Sequence, residues 1–590
     1  MSPIAIDPVT RAGGQLRVEL EVSGGAVDHA VVSATMFRGF EHLLVGRDPR
    51  DAWQMAQRIC GTCTGVHALA SVRAVENALG IQVPRNARIL RNILGGTMLV
   101  RDHVMTFYQR ALPDWVDLRS AATADPFATA TLAKATSAWP FATPDHFRTV
   151  RERLAAMIGS NQPGPFGGDW WGHPAYLLSP EQNLLLAAHM LDALDWQREF
   201  LRIEALLGGK DPHPQTYLVG GMSLAPPWGG PAASRNRQHP QVPDRDAPTP
   251  LSSEGLDLVE GLVANARIFV DQVLAPDARL LVDAYPEYLE LGRGVTSYLA
   301  FGEFPLSDAK SPTLFLPNGR LMEGRLEAPQ PAEEEGVAES ALHAWFAFAD
   351  GDDKLRRPID GLPQPSYTAA VPLESLDPAG KYSWVKGARY DGLPMEAGPA
   401  ARMMVGVADG QNQVTLALGT LLNDMGTGLE ALQGTVGRHL ARAVEAGVVA
   451  GELGVWIKEL RENLATGDVS VANVELWDPT TWPAEALGVS LGEGPRGAVG
   501  HWLTIRDGRI ASYQVVDGST WNAAPRDNLA LAGPVEKALA GVPIADQARP
   551  VEAMRVIHSF APCAACAAHV CGPDASTVPQ VRVHHRETVR

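Results

Sequence analysis

The stretches RICGTCTGVH (residues 58–67) and APCAACAAH (residues 561–569) decide how this chain is read. Each holds a C-x-x-C with a histidine a few positions on, yet Cys60 and Cys563 stand 503 positions apart. Sulfurs at i and i+3 can face one centre from a tight turn at a helix end, so two such pairs make a four-thiolate site. Spacing alone leaves structural zinc, an iron–sulfur cluster and other thiophilic metals open. A redox dithiol is less favoured because two pairs are present. Zinc modules bring their pairs together within a small unit, since the metal replaces a core that the unit lacks. A chain of 590 residues, 45% hydrophobic, has no such need. A site joining its two extremities lies deep in the fold, which favours chemistry over stapling.

Working outward, DPRDAWQMAQRICG (residues 48–61) opens with a capping aspartate and a proline at the first turn. Cys60 is therefore expected at a helix end, with further helices over roughly 64–79 and 86–112. Helical spacing also predicts roughly 180–207, 253–274 and 410–446. Residues 14–39 alternate around Gly24 and Gly25 as a hairpin does, and GHWLTIRDGRIASYQVV (residues 500–516) reads as two strands joined by Asp507 and Gly508. The stretches 225–250 and 329–336 are rich in proline, glycine and charge and read as surface loops. The expected fold class is α+β, mainly α with small antiparallel β elements around a helical core.

A net charge of −17 disfavours nucleic acid, whose phosphates need a basic surface. The opening MSPIAIDPVTR lacks the basic start and apolar core of a signal peptide, and no stretch is apolar for long enough to span a bilayer. By itself the chain is expected to be cytoplasmic, unless a partner carries an export signal. Five cysteines exclude a disulfide scaffold, and only Cys571 falls outside the two pairs.

RICGTCTGVHALASVRAVENALGI and PCAACAAH resemble the two cysteine signatures of the large subunit of nickel–iron hydrogenases. DPVTRAGGQLRVELEV, MFRGFEHLLVGRDPRDAW, RDHVMTFY, ARYDGLPMEAGPAARM and GEGPRGAVGHW resemble that family's segments in the same order. The likeness runs end to end and is nearest to the membrane-associated uptake group. It implies the family's helical large-subunit fold over residues 1–569 and heterolytic splitting of molecular hydrogen at a nickel–iron centre.

By resemblance, Cys60, Cys63, Cys563 and Cys566 bind nickel, and Cys63 and Cys566 also bridge to an iron carrying cyanide and carbonyl. Thiolates are soft donors suited to that metal. His67 is expected to hydrogen-bond near a bridging sulfur and tune it. Glu41 and His569 match the family's ligands to a magnesium or similar divalent ion. Arg496 matches the arginine over the open metal position, Asp102 the carboxylate that holds it, and Cys563 a terminal sulfur that takes part in catalysis.

Two positions depart from the pattern. The family's relay glutamate is replaced by Gly13, and the aspartate before its last P-C by Ala561. A glycine cannot carry a proton, and the alanine is expected not to orient Arg496. Restoring glutamate at Gly13 is expected to raise the rate of hydrogen–deuterium exchange. Residues 570–590 match a C-terminal extension that a maturation protease removes after His569, taking Cys571, His584 and His585 with it.

The expected partners are an iron–sulfur small subunit, through which the electrons leave, and a membrane cytochrome beyond it. The pair is expected on the periplasmic side of the membrane, co-exported on the small subunit's signal, or else in the cytoplasm. A hydrogen sensor, a catalytically impaired relative and a zinc-stabilised scaffold are the competing readings. The cleavable tail favours the enzyme over a sensor.

Overall fold

The computed structural model describes residues 3–162, 170–224, 249–351, 353–370, 373–527 and 531–567. Most of the expected loop at 225–250, together with His569 and the tail at 570–590, lies outside them.

The N-terminal hairpin forms where the alternation puts it. Strands β2 (Leu16–Ser23) and β3 (Ala26–Ala34) turn through Gly24 and Gly25, and a short β1 (Ile4–Ile6), not foreseen, pairs with β2. Both glycines are left-handed, at φ 61° and 84°, as a tight hairpin requires. Asp48 Oδ1 then accepts the Arg50 N–H, and short helical turns over 49–59 end at Cys60.

Helix α1 (Thr64–Leu79) starts beside Cys63 and stops at left-handed Gly80. Helix α2 (Arg85–Met105) passes into a widened π turn, Thr106–Ala111, where the sequence predicted continuous α-helix. The expected helix near 180 is α3 (Pro180–Gly208), held at its start by a reciprocal Ser179–Gln182 capping box. Helix α4 (Ser253–Phe269) likewise runs through a π turn into α5 (Ala275–Ala284).

The single helix expected over 410–446 is instead two. Gly426, at φ 65°, closes α6 (Asn412–Met425), and α7 (Thr435–Ala465) begins after Gly434. Helix α7 lies along α2 at the centre of the helical core, with α3, α4 and α5 around them. The close crossing depends on Gly96 in α2. A Cβ there would stand 2.9 Å from Leu453 Cδ2 and 3.0 Å from Trp456 Cζ3 of α7.

The C-terminal hairpin forms as expected, turning at Asp507 and Gly508, but belongs to a three-stranded antiparallel sheet. Its strands are β4 (Glu485–Gly494), β5 (Gly497–Arg506) and β6 (Arg509–Val516), with β4 laid across α1. Beyond it come α8 (Gly518–Asn522), α9 (Val551–Ser559) and α10 (Ala564–Ala567).

Ion pairs tie these layers together internally. Arg402, on a helix at Pro399–Ala408, donates from Nε and Nη2 to both Glu445 oxygens on α7 and from Nη1 to Glu493 on β4. His103 Nε2 of α2 bonds Glu445 Oε2 at 2.6 Å. All four residues are buried, so each charge depends on its partner.

Candidate metal centre

The two ends of the chain meet. Gly13 N–H donates to Pro562 O and Ala565 N–H to Gly13 O, both at 3.2 Å, forming a parallel bridge between residue 13 and Cys563. The segment before Gly13 is anchored by Arg11, which donates to Asp114 and to Arg110 O. It is also anchored by His558, whose two ring nitrogens lie at Asp114 Oδ2 and Thr10 O.

That bridge brings the four sulfurs together. Cys63 Sγ lies 3.4 Å from Cys566 Sγ, Cys60 Sγ 3.9 Å from Cys563 Sγ, and Cys566 Sγ 3.2 Å from Cys563 Sγ. All four residues are buried and none forms a disulfide. Cys60 precedes α1, Cys63 caps it, Cys563 immediately precedes α10, and Cys566 lies within it.

Four thiols this close cannot all ionise without a cation. Burial opposes ionisation of Cys60, but hydrogen bonds from the three other sulfurs hold its thiol well below the usual range. Cys63 and Cys563 keep their protons despite the hydrogen bond with Cys566, because the Cys60 sulfur and burial raise them, Cys563 to about 12. Burial pushes Cys566 well up. A soft cation would reverse this balance, so the donor set fits a thiophilic metal.

Arg496 overhangs the sulfurs from the turn between β4 and β5. Its Nη2 donates to Asp102 Oδ1 and its Nε to Ala561 O, each at 3.0 Å, while Nη1 has no hydrogen-bond partner. The sequence reading that an alanine at 561 cannot orient this arginine is thereby corrected. The backbone carbonyl of Ala561, presented by a left-handed residue at φ 51°, does so. Arg496 and Arg110 keep the Asp102 carboxyl ionised below its ordinary range against the cost of its burial.

His67 is buried and lies on the Cys566 side of the cluster, with Nδ1 3.1 Å from His501 Nε2. His501 Nδ1 lies 2.7 Å from the Tyr513 hydroxyl. Burial pushes His67 down to about 4 and holds His501 well below the ordinary imidazole range, so both rings are neutral.

Glu41 is fully buried. Its Oε1 accepts from Lys386 Nζ (3.1 Å) and Val515 N–H (2.9 Å), and its Oε2 has no partner. Lys386 also donates to Glu339 Oε2 (2.7 Å) and Gln514 Oε1 (2.9 Å).

Several residues at the site escaped the sequence reading. Ser519 Oγ accepts the Cys563 N–H, and His501 orders His67. Asp517 caps α8, its Oδ1 accepting the Ser519 and Thr520 N–H groups at 2.7 and 2.9 Å. In sequence Asp517 shows only an aspartate before a short helix, and nothing local points it toward cysteines.

Residues 38–569 match the model of the nickel-dependent hydrogenase family. The uptake hydrogenase large subunit of Bradyrhizobium diazoefficiens is 40% identical, covering 98% of this chain and 97% of its own length. The hydrogenase-1 large chain of Escherichia coli is 39% identical with the same coverage. The as-isolated oxidised Ni-Fe-Se hydrogenase of Desulfovibrio vulgaris Hildenborough superimposes with a TM-score of 0.74 at 30% identity, over 96% of this chain and all of that one.

The chain belongs to the nickel-dependent hydrogenase family. It is a catalytic large subunit that oxidises molecular hydrogen at a nickel–iron centre and works as a heterodimer with a small subunit. The sensor, impaired-relative and zinc-scaffold readings find no support in these likenesses.

Proposed function

We propose that Cys60, Cys63, Cys563 and Cys566 hold the nickel–iron group, with Cys63 and Cys566 shared by both metals and Cys60 and Cys563 terminal on nickel. The convergence of four buried sulfurs from chain positions 60–63 and 563–566 carries this reading. When bound, the group, with carbonyl and cyanide on its iron, polarises hydrogen and withdraws its electrons. Arg496, fixed by Asp102 and Ala561 O, points an unpartnered N–H at the cavity and stabilises negative charge developing there. Its guanidinium is held far above neutral pH and keeps its proton, and Cys563 Sγ, once metal-bound, is the proposed base by the family resemblance. His67 holds the orientation of the Cys566 side.

A divalent ion such as magnesium is proposed at Glu41, with His569 as a second ligand. The orphaned Glu41 Oε2 and Glu339 Oε1 support it, since buried carboxylate oxygens without donors suit a hard cation. Residues 1–569 are proposed as the working unit, with 570–590 removed after His569 by a maturation protease. The proposed partner is an iron–sulfur small subunit at the periplasmic face of the membrane, passing electrons to a cytochrome. Among the described residues, no helix is long and apolar enough to cross a membrane.

Infrared spectroscopy with nickel analysis of the purified heterodimer tests the centre. Metal-bound carbonyl and cyanide bands with one nickel per chain are expected. Zinc without those bands would refute it. Intact mass tests the tail, and a nickel-loaded chain still carrying residues 570–590 would refute its removal.

A further inference from the structure

A small cavity opens against the sulfurs, lined among others by Cys63, His67, Arg496, Asp517, Ser519 and Cys566. Two buried side chains at its wall are left with an unused polar atom. Arg496 Nη1, in a residue 5% exposed, has no acceptor, and Asp517 Oδ2, in a residue 3% exposed, has no donor. Asp517's other oxygen is fully engaged at the start of α8, so capping accounts for only half of its carboxylate. A buried charged oxygen without a partner is costly. A carboxylate oxygen of Asp517, a ring nitrogen of His67 and the Cys566 sulfur all lie within 4.8 Å of one another.

A line of buried contacts stands behind His67: its Nδ1 lies 3.1 Å from His501 Nε2, and His501 Nδ1 lies 2.7 Å from the Tyr513 hydroxyl. The wall beside Cys566 therefore offers an imidazole and one carboxylate acceptor, while Arg496 offers a cationic donor. The acids missing at Gly13 and Ala561 leave Asp517 as the carboxylate with an unspent oxygen at the cavity wall, since Asp102 is occupied by Arg496 and Thr106.

We propose that Asp517 is a positioning residue of this hydrogenase, its Oδ2 accepting a hydrogen bond from a water held in the cavity beside Cys566, as the acceptor counterpart of Arg496 Nη1. This rests on the four sulfurs holding the nickel–iron group.

The test uses the nickel-loaded heterodimer carrying Asp517→Asn or Asp517→Ser. Both side chains still cap α8, but asparagine turns the free oxygen into a donor and serine removes it. Displaced carbonyl and cyanide bands at wild-type nickel content are expected in both. Hydrogen–deuterium exchange is expected to fall about tenfold in the asparagine variant, as for losing a hydrogen bond to a charged group. Unmoved bands and unchanged exchange in both variants would leave Asp517 as a helix cap and overturn the proposal. Should neither load nickel, melting of the metal-free chains decides. Wild-type melting means that the carboxylate seats the metal and supports the proposal, whereas lowered melting means that only the cap was lost and overturns it. Wild-type protein without diatomic bands overturns the metal reading itself, whereas bands that ignore Asp517 overturn only this inference.

Discussion

Gly13 lies directly against Cys563: a Cβ built on residue 13 would fall 2.5 Å from Cys563 Sγ. A side chain at 13 and this position of the sulfur exclude each other. Gly13→Glu is therefore no simple restoration of a proton relay, contrary to the reading from sequence. Both Gly13→Ala and Gly13→Glu are expected to lower nickel content through displacement of Cys563, measured by metal analysis of the heterodimer. Full nickel content with faster isotope exchange in the glutamate variant would show that the sulfur yields without harm.

Arg496 bonds Asp102 and Ala561 O from two different nitrogens while aiming a third at the cavity. Lysine has one nitrogen and cannot span these directions. Arg496→Lys is expected to keep its nickel and lose roughly 10²–10³-fold in turnover, the scale of removing a preorganised donor. Hydrogen-dependent dye reduction with nickel analysis checks it.

Arg402 serves two carboxylates unequally. Glu445, though buried, is held down at about 2 by Arg402 and His103, whereas burial raises Glu493 to about 7. Glu493 in the folded chain thus keeps its proton between about pH 4.5 and 7, where an unfolded glutamate has lost it. The folded state binds more protons there, so this group's contribution is complete below about 4.5 and drains away as pH rises through about 7. The loss is on the order of 3 kcal/mol. Glu493→Gln is expected to flatten the fall of melting temperature over that window, and an unaltered slope would contradict the assignment.

Lys386 joins Glu41, Glu339 and Gln514 at full burial. Replacing it with methionine strands two carboxylates in the interior, and removing one partner of such a group costs about 3–5 kcal/mol. Lys386→Met is expected to melt well below wild type at pH 8. The deficit should shrink toward pH 5, because protonation of Glu339, raised by burial to about 7, relieves the stranded charge.

The helical core was largely legible because leucine and alanine periodicity is local, and α1 and α3 begin and end within a residue of their expected limits. The break at Gly426 was not, since a glycine inside a periodic stretch reads as tolerated until its left-handed backbone is known. The π turns after Met105 and Phe269 carry no distinct residue pattern either. Strands β1 and β4 were missed although each pairs with a strand of a recognised hairpin, because β1 is only three residues long and β4 turns into β5 through Pro495 and Arg496, with no glycine between them to signal the turn. At the site the cysteines, His67, Asp102 and Arg496 stood inside recognisable motifs. Asp517, Ser519 and His501 did not, because their proximity to the sulfurs is created by folding alone. The service of Ala561 through its carbonyl is likewise invisible in a side-chain alphabet.

The parallel bridge between Gly13 and Cys563 also sets a timetable. A ribosome emits the first cysteine pair 503 positions before the second, so for nearly the whole of synthesis Cys60 and Cys63 wait without their counterparts. The residues that complete the pocket are among the last to emerge and must insert beside a hairpin formed from the first. A nascent chain therefore cannot capture metal prematurely with all four sulfurs, and a chain that stops before Cys563 lacks two of them.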